Sequence, residues 1–172
     1  MPLLKPLLTT VAMLCVTAFT DVSNSLTIEF PSGWSAPTVD AGGSAESRGP
    51  DGSAWCRANV VQLESLKKLS QADINASFIQ PFDKKTWAEF YSIDVANLEV
   101  ADGSARVVNG RNVQKVTITI APSVMGQEIK MRGVAHLQPA HIVNAACFAR
   151  SDSFESYRGL FETVITSLKP LD

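Results

Sequence analysis

The chain has 172 residues, 45% of them hydrophobic and 19% charged, with a formal net charge of −2. These figures suit one globular domain and exclude a chain disordered throughout, because so apolar a sequence buries enough surface to offset its ordering entropy. Fifteen Lys and Arg spread thinly against seventeen Asp and Glu, with an isoelectric point near 5.7, also exclude the long basic tract of a nucleic-acid binder.

The first twenty residues place one cation, Lys5, before an apolar run from Leu7 to Phe19, and the first acid is Asp21. This is the charge and hydropathy pattern of a secretory signal peptide. The competing reading is a membrane anchor, but the 15 residues between Lys5 and Asp21 fall short of the roughly 20 that a helix needs to cross a bilayer. Small residues at Val16/Ala18, Ala18/Thr20 and Ser23/Ser25 put the expected cleavage between residues 18 and 25. Leu14 precedes Cys15 where lipid attachment wants a small residue. The expected organisation is a signal peptide over 1–25 and a single domain over 26–172, periplasmic or secreted, with no stable membrane insertion after cleavage.

Removal of the leader takes Cys15 with it and leaves Cys56 and Cys147. In an oxidising compartment two cysteines allow one pairing, closing a loop of about 90 residues that the chain-entropy model values at roughly 4–5 kcal/mol. Two buried free thiols are the alternative. A metal or redox role has less support, since Cys-x-x-Cys spacing is missing and no His stands close in sequence to either cysteine.

Along the domain, Leu26–Phe30 alternates as a half-buried strand and stops at Pro31-Ser32-Gly33-Trp34. Residues 40–53 read as a solvated loop or long hairpin, and 55–62 as a second strand with Cys56, Ala58 and Val60 facing inward. Ser70 is placed to cap a helix with Asp73 near its positive end, and Ile74, Phe78 and Ile79 would face inward. A second short helix is expected near 84–91, with Trp87, Phe90 and Tyr91 on one side. Residues 97–150 read as an antiparallel meander, punctuated by Asn109-Gly110, whose two positions suit the positive φ angles of a type I′ turn. In its strands Val116, Ile118 and Ile120 alternate with polar residues, as do Ile129, Met131, Gly133, Ala135 and Leu137. The closing helix, 153–168, carries Phe154, Tyr157, Phe161, Val164 and Leu168 on a period near 3.6, with Ser153 as its cap and Pro170 beyond its end.

Pro31, Gly33 and Trp34, the run Ser70 to Asp73, the Asn-Gly meander and the closing helix ending in Ser-Leu-Lys-Pro together resemble the PsbP-like family. That family includes the photosystem II extrinsic protein, a Ran-binding protein and many small exported bacterial proteins. The resemblance implies an α/β (α+β) fold, an antiparallel sheet with helices on both faces in an α/β/α sandwich. It implies no catalytic residues and no cofactor, since known members act by binding other proteins or supporting assemblies.

Direct signs of chemistry are sparse. His136 and His141 flank a tight turn and, with a carboxylate such as Glu128, could hold Zn²⁺ or Cu²⁺. No serine lies in Gly-x-Ser-x-Gly, and the glycines at 42, 43, 49 and 52 are not followed by the Gly-Lys-Ser/Thr of a phosphate loop. Trp34 and Trp55, beside the loop over 41–54, are the candidate partner-binding residues if they project from the sheet rim rather than into the core. The sequence therefore favours an exported non-catalytic binding or accessory protein, whose partner is a protein or a small ligand. The rival readings are a small metal-dependent or hydrolytic enzyme using His136 and His141, and a structural part of an envelope complex.

Overall fold

The structure, a computed structural model, describes residues 17–20 and 25–171. The expected leader lies outside the described residues except for β1 (Thr17–Thr20) and Ser25. The backbone of β1 pairs antiparallel with β2 (Leu26–Phe30), and the far edge of β2 receives β10 (Lys169–Pro170) at the end of the chain.

The main sheet has seven antiparallel strands in the order β3-β4-β5-β9-β8-β7-β6. A hairpin of β3 (Thr38–Val39) and β4 (Ala45–Arg48) forms one end, so the stretch read as a loop or hairpin is a hairpin. Next comes β5 (Ala54–Gln62), and the meander β6 (Leu98–Val108), β7 (Arg111–Ile120), β8 (Ile129–Gln138) and β9 (His141–Arg150) follows from the opposite side. Asn109 and Gly110 take φ +50° and +79°, as a type I′ turn requires. At the β8–β9 turn Ala140 sits at φ +73° after Pro139, a position that favours glycine.

The meander cannot close on β5 through local contacts. Its last strand lies beside β5 from Ala54↔Ala149 to Gln62↔His141, and the structure joins Cys56 to Cys147, which face each other in that ladder across 91 residues of chain.

Helices cover both faces, as the α/β/α expectation required. On one face α4 (Phe154–Ser167) and β2 enclose a core of Leu26, Ile28, Phe30, Cys56, Cys147 and Phe161. On the other, α1 (Gln71–Ser77) and α2 (Lys84–Tyr91) enclose Ile74, Trp87, Ile118, Met131 and Leu137. Ser70 caps α1 as expected: its Oγ accepts from the Asp73 N–H, and the Asp73 carboxylate accepts from the Ser70 N–H. The Ser70 hydroxyl, donating to the Asp73 carboxylate at 2.6 Å, and the Ser70 N–H together hold that carboxyl below its ordinary range.

Two local expectations change, and one feature is added. Ile79 points into solvent, 62% exposed, because α1 ends at Ser77 and the chain leaves the helical path there. Ser153 precedes α4 but makes no side-chain cap; its hydroxyl donates to the Arg150 carbonyl instead. Between α1 and α2 the irregular segment 78–82 is held by two buried amides that pattern reading overlooked. Asn112 and Gln114 both donate to the Phe78 carbonyl, at 2.7 and 3.0 Å, while Gln114 Oε1 accepts from the Phe82 N–H at 3.1 Å.

Replacing both Cys56 and Cys147 by alanine should lower unfolding stability by about 2–5 kcal/mol in denaturant titrations. Ala140→Gly should stabilise by roughly 0.5–1 kcal/mol, read as a rise of a few degrees in Tm. Gln114→Ala should cost about 1–3 kcal/mol by stranding buried backbone groups.

Candidate functional site

The two helical layers do not cover the sheet equally. On the face of α1 and α2, α1 packs on β7 and β8 and α2 on β6, so β9 and β5 extend beyond the helical layer. There the inward row of β9 is Asn144, Ala146 and Phe148, and that of β5 is Trp55, Arg57, Asn59 and Val61. Where a third helix would need large apolar residues, Asn144, Ala146, Arg57 and Asn59 are small or polar, and a groove of about 460 Å³ lies over them. Met131, Ala146 and Phe148 line its sheet side, and Phe90 and Ile93 at the end of α2 contribute to the opposing wall. Val124 and Met125 of α3 (Pro122–Met125) also line it and are 43% and 44% exposed.

At one end stands an aromatic step. Trp55 lies parallel to Phe148 with ring centroids 5.1 Å apart and planes 7° from parallel, and the Arg48 guanidinium stands 5.9 Å from the Trp55 ring centroid. The register explains the stack, since Arg48, Trp55, Phe148 and Met131 are successive cross-strand partners on β4, β5, β9 and β8.

The other end is polar. Asn144 donates to Asn59 across β9 and β5, and Arg57 donates to Asp40 and to Ser44 Oγ. Asp40 also accepts from the N–H groups of Ser44 and Gly42. These bonds, with Arg57 beside it, hold the Asp40 carboxyl below the usual carboxylate range. The β3–β4 hairpin thus fixes Arg57 at the groove.

Tyr91 contributes to the groove through its ring, while its hydroxyl is buried and without a hydrogen-bond partner. Burial pushes that phenol well above its ordinary pKa, so it stays neutral. Gly133 makes room for it: a Cβ there would stand 2.8 Å from the hydroxyl oxygen.

The two sequence-selected tryptophans do not form one surface. Trp34 packs, half-buried, against the core under α4, whereas Trp55 belongs to the opposite core. The parity of β5 decides this, because Cys56 and Trp55 must face opposite sides of a pleated strand. The remaining lining residues of the groove were missed. The nearly continuous apolar run of β9 signals a strand buried on both faces, but not that one face lacks its helix.

His136 and His141 share the α4 side of the sheet, at diagonal positions given by Gln138↔His141 and His136↔Val143. Glu128 cannot join them, since it precedes β8 at its far end, about 26 Å of extended strand away. Among the described residues no group of three His, Cys, Asp or Glu is placed to hold a metal ion. Burial, with Arg111 and Lys115 nearby, pulls the His136 pKa down to about 4. The unfolded chain protonates His136 near its ordinary 6.5 and the folded chain only near 4. Between these values the unfolded state binds more protons, so stability should fall as pH drops from about 6.5 toward 4. His136→Gln should flatten that limb in urea midpoints measured across the same range.

No protein-family model matches the sequence, and no curated protein matches it. Solved structures do. Cyanobacterial PsbP from Synechocystis sp. PCC 6803 is 14% identical with a TM-score of 0.59, covering 94% of this chain and 96% of its own. LpqN, involved in cell envelope biogenesis of Mycobacterium tuberculosis, is 11% identical with a TM-score of 0.61, covering 93% and 92%. A Mog1 structure is 8% identical with a TM-score of 0.57, covering 92% and 97%. Whole-length matches at such low identity report architecture alone, and the architecture of this chain is the PsbP-like fold.

Proposed function

We propose that this chain is an exported, non-catalytic binding or accessory protein of the cell envelope that works through the groove over β9 and β5. The observation that carries the reading is the groove over β9 and β5, with Met131, Ala146 and Phe148 on its sheet side, the Trp55–Phe148 stack beside it and Arg57, Asn59 and Asn144 as its polar lining. Such a site suits a small amphipathic molecule, or an apolar side chain of a partner, because it offers apolar contact on one side and fixed polar groups on the other. Export draws support from the sequence of the first twenty residues and from the Cys56–Cys147 bond, which persists in oxidising compartments. Among the described residues no helix is long and apolar enough to cross a membrane. The LpqN structure, from a protein of envelope biogenesis, is a precedent for this fold in that setting.

Two measurements test the parts separately. Expressed with its own leader in a bacterial host, the protein should appear outside the cytoplasm with an N-terminus between residues 19 and 26; full-length material in the cytoplasm would sink export. For the groove, the probe is the amphipathic dye 1-anilinonaphthalene-8-sulfonate. It should bind the folded protein at one site and lose at least about tenfold in affinity on Ala146→Leu, which fills the floor without touching the opposite core. Unchanged binding in that variant would remove the groove as the site. Co-purification with envelope proteins that survives the same substitution would favour a structural part of a complex instead.

A further inference from the structure

Among the described residues the main sheet ends at β6, which pairs with a strand on one side only. Its two halves differ. In the first, the register shifts between Ala101 and Ser104, Asp102 takes φ +51°, and Gly103 lies so near Pro81 that a Cβ would meet the proline ring at 3.4 Å. A bulge and a covering segment are devices by which sheets blunt an exposed edge. The second half, residues 104–108, has neither, and carries Val107 and Val108 at 55% and 46% exposure.

The turn that follows fixes which backbone groups are open. Residues flanking a two-residue hairpin turn exchange both of their hydrogen bonds. Val108, Arg106 and Ser104, opposite Arg111, Val113 and Lys115, therefore aim theirs at β7. Ala105 and Val107 turn N–H and C=O outward.

Charge gathers beside that edge. On the α4 side of the sheet, Arg106, Lys115 and Arg132 line a cleft of about 310 Å³ with Ser104, Val108 and Val113. Arg111 and His136 follow toward the turns, with His136 neutral. From α4, Glu162 reaches Arg132 at 2.6 Å and Lys115 at 3.7 Å. Glu99 and Asp102 lie before or within the bulge, where Asp102 stands 3.8 Å from Arg158. A chain that is acidic overall thus presents a cationic strip along the unprotected half of its edge strand.

We propose that residues 104–108 accept an extended acidic segment of a partner protein as an eighth strand. Its backbone would bond to Ala105 and Val107, and its carboxylates would lie over Arg106 and Lys115. Strand addition of this kind draws affinity from the main chain and selectivity from alternate side chains. A second copy of this chain is the poorer occupant, because two such edges pairing antiparallel would set Arg106 against its own equivalent. The groove over β9 and β5 lies on the other face of the sheet, so the two sites can fail independently.

The probes are two blocked eight-residue peptides, one alternating valine with glutamate and one alternating valine with lysine, titrated into the purified protein. The glutamate peptide should bind at least about tenfold more tightly than the lysine peptide and slow amide exchange at Ala105 and Val107. Arg106→Glu should abolish that preference. Val107→Pro deletes an outward N–H while leaving the bonds to β7, and should abolish glutamate-peptide binding with the circular dichroism spectrum unchanged. Equal binding of the two peptides, no binding of the glutamate peptide, or binding without protection at Ala105 and Val107 would overturn the proposal. So would a dimer in sedimentation that protects the same amides with no peptide present.

Discussion

The pairing of β5 with β9 is the contact on which the rest of the structure depends. The other pairings of the meander join consecutive strands, through two-residue turns or, between β7 and β8, through the eight-residue segment that holds α3, so each is local in sequence. The β5–β9 ladder must instead bring together residues about 90 positions apart and carry the loop-closure entropy of everything between them. Small residues make the approach possible: Ala54, Ala58, Ala145 and Ala149 line one side of the ladder around the Cys56–Cys147 bond. The disulfide then removes much of that entropy from the unfolded chain. At this length a domain buries about 70% of its unfolded surface, so the covalent bond adds to a sufficient core and does not replace one.

Once that ladder is in place, the sheet is wider than its helices. The α4 helix and β2 cover the disulfide side, while α1 and α2, tethered through Phe78 and Phe82 to Asn112 and Gln114, stay over the meander. The groove over β9 and β5 follows from this mismatch. So does the opposite inequality on the α4 side, where β6 and β7 extend past the helix and their Arg106 and Lys115 form a cationic strip with Arg132 of β8. The groove and the cationic strip thus lie on opposite faces and toward opposite ends of one sheet, with a rigid strand array between them.

Much of this order is written in local pattern. The Ser70–Asp73 box, the positive-φ pair Asn109-Gly110 and the 3.6-residue stripe from Phe154 to Leu168 each satisfy a requirement within a few residues, and each appears where the pattern puts it. Ser153 shows the limit of such reading: residue type suits it to cap α4, but the turn from Arg150 gives its backbone helical angles, and its hydroxyl bonds elsewhere. Asn112 and Gln114 were illegible for another reason. A polar residue on the inward side of a strand reads as an interruption until the backbone groups it satisfies, here those of Phe78 and Phe82, are known to lie above it.

The sequence by itself determined most of the strands and helices, the side of its strand on which most apolar rows lie and, for oxidised cysteines, the one pairing of Cys56 with Cys147 that the structure shows between β5 and β9. Only the tertiary structure decided that Trp34 and Trp55 part to opposite cores, that His136 stands neutral among cations with Glu128 far away, and that cations thinly spread along the chain meet on one strip. The physical reason is the same in each case. Periodicity reports which way a side chain points from its own backbone, whereas what it points at depends on strand order and on how far each helix reaches across the sheet.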